Sequence, residues 1–346
     1  MVWLRKLLFP FSILYGLVTR LRNFLYDAEI LKSTTFPVPI IAVGNLSVGG
    51  TGKSPMVEYL LRILLPQFRV ATLSRGYKRA SSGFILADEN SDARSLGDEP
   101  FQFYKKFPQA IVAVDADRCN GISKLLAQKT APEIIVLDDA FQHRKVRAGF
   151  YILLTSYDDP YFSDLFLPAG NLRESRSGAR RADVIVVTKC PPTLSNQEQL
   201  NIRKKLESLP RQQVYFTSIG YNDVVEGIGN IPVVAIKKEP KLLVAGIAKP
   251  EPFFAYLQSG SDEVMRFPDH HDFSDSDINN IRRKAAGRKI VTTEKDYVRL
   301  NGRIENNLYY LPIRCEFLED ATDFNKTIKE YVGKSTGNSQ LHQGNH

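Results

Sequence analysis

An apolar strand, a glycine-rich loop and a helix follow one another between residues 39 and 65. This succession constrains the fold more than any other stretch of the chain. The strand reads PIIAVGNL (39–46), the loop SVGGTGKSP (47–55), and a helical pattern covers 54–65. Gly52, Lys53 and Ser54 end the loop as the phosphate-binding pattern GxxxxGK[ST] ends, whereas Ser47 stands where that pattern begins with glycine. Gly49, Gly50 and Gly52 let backbone N–H groups wrap phosphate oxygens without a Cβ in the way, and the helix start adds positive potential. In such a loop, which Ser47, Val48 and Thr51 complete, Lys53 neutralises the β- and γ-phosphates and the Ser54 hydroxyl ligates Mg²⁺.

The same alternation continues. Apolar, β-branched runs at 69–74, 110–115, 133–139, 151–156 and 183–189 are interleaved with helical patterns that include 98–107 and 117–128. Alternating βα units imply a parallel sheet with helices on both faces. A second series at 241–248, 263–268, 289–296 and 308–313 is separated by helical patterns at 250–258, 275–286 and 322–332. Between the two series, VYFTSIGY and IPVVAI flank a turn rich in Gly and Asn, which reads as a two-stranded connector over 213–237. The expected organisation is a helical segment at 1–31, a nucleotide-binding α/β domain at 32–212, the connector, a smaller α/β domain at 238–333 and a polar, disordered tail at 334–346. Three scattered cysteines (Cys119, Cys190 and Cys315) support neither a disulfide framework nor a zinc site.

Residues 7–18, LLFPFSILYGLV, are nearly all apolar but too few to cross a bilayer. No small-residue cleavage site follows them, as a signal peptide requires. Helical periodicity then places Leu14, Leu17, Val18, Leu21, Phe24, Leu25 and Ala28 on one face. That face either lies in a lipid interface or packs on the protein's own core, and periodicity leaves both open. The net charge of +8 suits nucleic acid, anionic membrane or phosphorylated substrates alike. The basic residues are dispersed and no nucleic-acid-binding module is recognisable, which argues against nucleic acid.

Other residues carry chemistry. The strand EIIVLDD ends in Asp138 and Asp139, a carboxylate pair placed as a phosphate-loop enzyme needs it for Mg²⁺. Thr188-Lys189-Cys190-Pro191 has proline where a guanine-reading [NT]KxD has aspartate, so ATP is the expected nucleotide. Asp98 and Glu99 open a helix, either as start-of-helix carboxylates or as a base and an Mg²⁺ partner. Arg118 follows Asp115 and Asp117, within reach of a phosphate or engaged at a helix start. Arg173 and Glu174 form a charged pair in a loop. In Asp269-His270-His271-Asp272, a histidine oriented by a carboxylate for proton transfer is more economical than a metal site.

Eight segments in order resemble one family. They are LYG with RLRNFLY (Leu14–Tyr26), VGNLSVGGTGKSP (43–55), LSRGYKR (73–79), GDEP (97–100), LDDAFQHR (137–144), LPAGNLRE (167–174), FPDHHDF (267–273) and TTEKDYVRL (292–300). Together they resemble the tetraacyldisaccharide 4′-kinase (lipid A 4′-kinase) family. The resemblance implies a P-loop kinase-like fold of two α/β/α, Rossmann-like domains joined by a two-stranded linker, with ATP in the cleft. It implies transfer of the ATP γ-phosphate to the 4′-hydroxyl of tetraacyldisaccharide 1-phosphate, giving lipid IV-A in lipopolysaccharide biosynthesis. It favours a peripheral enzyme on the cytoplasmic face of the inner membrane, held there by its N-terminal helix, with neither nucleic acid nor a protein partner expected.

By the same resemblance, Asp98 is the catalytic base, in a dyad with His270 or, failing that, His271. Lys53 and Ser54 serve the phosphates and Mg²⁺, and Asp138 and Asp139 mark the Mg²⁺ strand end. Glu99 and Glu174 support the metal, Arg118 and Gln142 the nucleotide, and Arg173 the phosphates or headgroup. The segment 76–97 is expected as a substrate-facing hairpin with Lys78 and Arg79 toward anionic headgroups.

Overall fold

The computed structural model describes residues 5, 7–269 and 271–343. After helix α1 (Phe9–Asp27) the chain runs β1 (Ile40–Asn45), α2 (Lys53–Leu64), β2 (Val70–Ser74), β3 (Ile85–Leu86), α3 (Ala93–Leu96), α4 (Asp98–Lys106), β4 (Ile111–Val114), α5 (Arg118–Leu126) and β5 (Ile134–Leu137). It continues through β6 (Phe150–Ser156), β7 (Val184–Thr188), α6 (Asn196–Leu206) and β8 (Gln213–Tyr221). These strands join one sheet in the order β8-β7-β6-β1-β5-β2-β4-β3. All neighbours from β8 to β4 pair in parallel, as in Ile40 with Ile135 and Val43 with Ile152. Central strands such as IIAVGN are buried at every position, as parallel strands covered on both faces must be.

A second sheet follows. It is built from β9 (Val224–Gly227), β10 (Ile231–Pro232), α7 (Val233–Ile236), β11 (Lys241–Ala245), α8 (Glu251–Leu257), β12 (Glu263–Arg266), α9 (Asp275–Ala285), β13 (Lys289–Thr293), α10 (Glu294–Leu300) and β14 (Leu308–Leu311). Its strand order is β10-β9-β14-β13-β11-β12, parallel from β14 to β12. Among the described residues no helix is long and apolar enough to cross a membrane.

The architecture is the expected mixed α/β arrangement with large parallel sheets, and four local expectations change. First, the second strand of the connector is not IPVVAI, which forms the short β10 and the turn α7. It is β15 (Ile313–Phe317), which returns from the second sheet and pairs antiparallel with the end of β8, Thr217–Tyr221. Second, the chain does not stay with the second sheet to 333. Helix α11 (Ala321–Gln343) packs Phe324, Ile328 and Val332 into the core beneath β1 and α2. Third, that helix carries on past Gly333, where a disordered tail was expected. Fourth, 76–97 forms no hairpin of its own. Strand β3 adds to the sheet edge through Ile85–Val114 and Leu86–Ala113, because its apolar residues find a partner in β4.

Helix α1 docks with its polar side. Ser12, Gly16 and Tyr26 are buried, while Phe11, Leu14, Leu17, Val18, Leu21 and Phe24 are exposed. Tyr15 donates to the Arg173 carbonyl at 3.0 Å, and Asn23 donates to the Glu174 carboxylate at 2.8 Å. Arg144 reaches back to the Asn23 carbonyl at 2.8 Å and to Asp27 at 2.6 Å. Of the two fates open to the apolar face, packing on the protein's own core is excluded.

Candidate active site

The glycine-rich loop emerges from β1 and feeds α2. Gly49 (φ +113°) and Gly52 (φ +83°) hold backbone angles that side-chain-bearing residues rarely adopt, and a Cβ at Gly49 would meet nothing within 4 Å. The loop therefore stands open. Its base is braced by the LPAGNLRE segment, where Val48 N–H donates to the Asn171 carbonyl at 2.8 Å and Arg173 N–H to the Leu46 carbonyl at 2.7 Å. Two hydroxyls of the loop, Ser47 Oγ and Thr51 Oγ1, are buried without a hydrogen-bond partner.

Three acidic elements meet this loop. At the end of β5, Asp139 takes a left-handed backbone (φ +48°) and faces Lys53 at 3.5 Å and Arg173 at 3.0 Å. Asp138, only 2% exposed, keeps one carboxylate oxygen without a partner. Burial, together with the nearby Glu99 and Asp139 carboxylates, pushes Asp138 up to about 7. At the start of α4, Glu99 accepts from Ser54 Oγ at 2.7 Å and from Lys295 Nζ at 2.6 Å. Burial opposes its ionisation, yet Lys295, the Ser54 hydroxyl and Lys53 hold it down at about 2. Beside it, Asp98 is ion-paired with Arg299.

Lys295 and Arg299 lie on α10, so the second sheet's domain places two cations on the acidic start of α4. The run 289–296 is not a single strand. Thr293 ends the strand instead, its side chain capping α10 by accepting from Asp296 N–H, and Lys295 and Arg299 then fall on a helix facing α4. The TTEKDYVRL segment carried both residues, but nothing local told which side they would face. Deeper in the same contact, Lys106 of α4 bridges Glu58 and Glu294, each at 2.7 Å.

Other expected residues sit elsewhere in this frame. Arg118 is buried, with its guanidinium donating to the backbone carbonyls of Asp115 at 2.9 Å and Asp138 at 3.2 Å. It holds the Asp138 turn, and burial lowers it to about 10 despite the Asp138 and Asp139 carboxylates. Gln142 donates to the Asn45 carbonyl at 2.7 Å and to Glu174 at 2.8 Å. Glu174 is not grouped with the aspartates. Its carboxylate accepts from Arg181 at 2.9 Å, from Gln142 and from Asn23 of α1, so it ties the helix to the site. His270 lies outside the described residues. His271 Nε2–H donates to the Asp277 carboxylate at 3.0 Å, and the ring stacks on Phe267. His143, which the sequence reading did not single out, receives the Arg118 backbone N–H at 3.3 Å, and burial and Arg118 lower it to about 4. Among the described residues no three His, Cys, Asp or Glu side chains converge closely enough to hold a metal alone.

Comparison with known proteins places nearly the whole chain in one family. The family pattern of Tetraacyldisaccharide-1-P 4′-kinase matches residues 4–333. A tetraacyldisaccharide 4′-kinase of Flavobacterium johnsoniae is 61% identical over 95% of this chain and 97% of its own length. That of Bacteroides thetaiotaomicron is 43% identical over 98% and 96%. A crystal structure of LpxK from Aquifex aeolicus in complex with ATP superposes with a TM-score of 0.78 at 34% identity, covering 95% of this chain and 99% of that one. With the family pattern spanning nearly the whole length and the phosphate loop, paired aspartates and acidic helix start in one place, this chain belongs to the tetraacyldisaccharide-1-phosphate 4′-kinase family.

Proposed function

We infer that the chain is an ATP-dependent kinase that moves the γ-phosphate of ATP to the 4′-hydroxyl of tetraacyldisaccharide 1-phosphate, forming lipid IV-A in lipid A biosynthesis. The observation that carries the residue roles is the meeting of the open loop with α4, where Ser54 and Glu99 touch and Asp98 stands next in the chain. Lys53 neutralises the phosphates. The loop N–H groups and Arg173 hold them in place.

The donor set fits Mg²⁺. Asp138 has an unpartnered buried oxygen and a raised pKa, the signature of a carboxylate short of a cation, and the Ser54 hydroxyl and Glu99 adjoin it. Asp138 and the Ser54 hydroxyl are the direct ligands we assign to it; Asp139, paired with Lys53 and Arg173, and Glu99, paired with Lys295, add negative charge beside them, and when bound the ion would neutralise charge developing on the phosphate oxygens. Glu174 we reassign from that set to the anchoring of α1. Arg118 and Gln142 support the Asp138 turn and the loop base.

Asp98 is the base we assign to the sugar hydroxyl. A carboxylate accepts the proton as the new P–O bond forms, a role worth about 10²–10⁴-fold. Arg299 orients that carboxylate, and His270 is its proposed dyad partner. Because Arg299 and Lys295 come from α10 of the second domain, this arrangement is complete only when the two domains are together.

The exposed apolar face of α1 supports a peripheral enzyme whose helix lies in the lipid interface, on the cytoplasmic face of the inner membrane where ATP is available. The reading calls for no nucleic acid and no protein partner. The direct test supplies γ-labelled ATP, Mg²⁺ and tetraacyldisaccharide 1-phosphate in detergent. Label on the 4′ position is expected from the native chain, with Asp98→Ala binding ATP normally but transferring about 10²–10⁴-fold more slowly. Transfer by Asp98→Ala near the native rate would remove the base assignment.

A further inference from the structure

Lys189 is unaccounted for by the roles above. It follows β7 in the Thr188-Lys189-Cys190-Pro191 segment and has a left-handed backbone, φ +58°. That conformation is uncommon for a residue with a side chain and marks a place where the surroundings dictate the fold. The surroundings are specific. Thr188 Oγ1 donates to the Thr51 carbonyl in the phosphate loop at 2.8 Å. Tyr157 N–H donates to the Thr188 carbonyl at 2.9 Å, and Cys190 N–H to the Thr217 carbonyl at 2.9 Å. The backbone is thus pinned on both sides of Lys189.

The side chain ends over the loop. Its Nζ lies 3.8 Å from where a Cβ of Gly50 would stand. It is half-buried and makes no hydrogen bond or ion pair among the described residues. The other cations around it each have a carboxylate: Lys53 has Asp139 at 3.5 Å, Lys249 has Asp158 at 3.5 Å and Lys295 has Glu99 at 2.6 Å. Burial and the nearness of Lys249, Lys295 and Lys53 lower Lys189, with Asp158 acting the other way. A half-buried ammonium without an anion, beside an open loop whose buried hydroxyls also lack partners, is a site short of negative charge.

We propose that Lys189 is a second nucleotide-binding cation, which closes the glycine-rich loop from the β7 side and contacts phosphate oxygens of the bound nucleotide. The proposal rests on the kinase reading and deepens it. Lys53 approaches from the helix that follows the loop and Lys189 from the strand two places away in the sheet, so the phosphates are held from two elements.

The test is calorimetric binding of ATP, of inorganic tripolyphosphate and of adenosine to the full-length native chain, Lys189→Met, Lys189→Arg and Lys189→Gly. Lys189→Met is expected to weaken ATP and tripolyphosphate about 10-fold and to leave adenosine unchanged, with Lys189→Arg restoring most of the affinity. Lys189→Gly guards against a folding artefact. Glycine suits φ +58°, so its thermal midpoint should match or exceed the native one while its ATP affinity falls as in Lys189→Met. Native affinity for ATP in both Lys189→Met and Lys189→Gly, or an equal loss for adenosine, would overturn the proposal and leave the kinase reading intact. A native chain that binds no ATP would overturn both.

Discussion

Helices α1 and α2 draw on the same classes of residue and turn them opposite ways. In α2, Met56, Val57, Leu60, Leu61 and Leu64 are all fully buried against β1 and its neighbours, and the polar first turn is left to the phosphate loop. In α1, Phe9, Phe11, Ile13, Leu14, Leu17, Val18, Leu21 and Phe24 keep between 48% and 62% of their surface in solvent. The face that docks is small and polar instead. A Cβ at Gly16 would stand 3.0 Å from the Phe166 ring, and Asn23 is tied to the Glu174 carboxylate. The exposure is thus not the result of weak docking. A contiguous apolar patch on a helix held by specific hydrogen bonds marks an interaction surface, whereas scattered exposed apolar residues do not. One helix is a structural wall for the nucleotide site; the other presents a surface for something apolar.

The largest effect that sharpens this contrast lies at the start of α2. Lys53→Met is expected to lower phosphate transfer at least about 10³-fold in the labelled-ATP assay while leaving vesicle binding unchanged. Core and surface leucines separate next. Leu60→Ala should cost about 2–5 kcal/mol in chemical denaturation, and Leu17→Ala should stay within about 0.5 kcal/mol of the native chain. A cost for Leu17→Ala near that of Leu60→Ala would break the comparison, because it would make α1 an ordinary core helix. Replacing Leu17, Leu21 and Phe24 together by Ser should reduce cosedimentation with anionic lipid vesicles more than about 10-fold, with no loss of thermal stability.

The smallest effect concerns the contact that brings the domains together. Burial and the neighbouring Glu58 carboxylate raise Glu294 to about 7, against the pull of Lys106. A carboxyl raised in the folded state binds its proton more tightly there. Its favourable contribution is therefore complete below the ordinary range near pH 4 and is lost as pH rises toward 7. Gln mimics the protonated form, so Glu294→Gln should leave the thermal midpoint unchanged at pH 4 and raise it modestly at pH 8. An equal shift at both pH values would show that Glu294 does not titrate in this window.

Much of this arrangement was legible in the chain because it is local. The strand, loop and helix around 39–65 and the pair Asp138-Asp139 follow from apolar runs and glycine placement, and both lie where the order of elements puts them. What escaped was decided by partners distant in sequence. Periodicity found the apolar face of α1 but not the carboxylate of Glu174 that draws the opposite face inward. Nothing in 313–317 announced that it would pair with the end of β8 instead of continuing the second sheet. Glu174 looked like a metal ligand until Arg181, Gln142 and Asn23 took up its oxygens. Lys295 and Arg299 reached Glu99 and Asp98 only because Thr293 stopped a strand early.

The most direct test of the contrast between the two helices measures phosphate transfer to two acceptors, vesicle-embedded tetraacyldisaccharide 1-phosphate and its deacylated, water-soluble counterpart. The native chain is compared with the Leu17, Leu21 and Phe24 triple serine variant. The account predicts that the variant loses more than about 10-fold of its rate on the embedded lipid and keeps its native rate on the soluble acceptor. Unchanged rates on both acceptors, or equal losses on both, would contradict it.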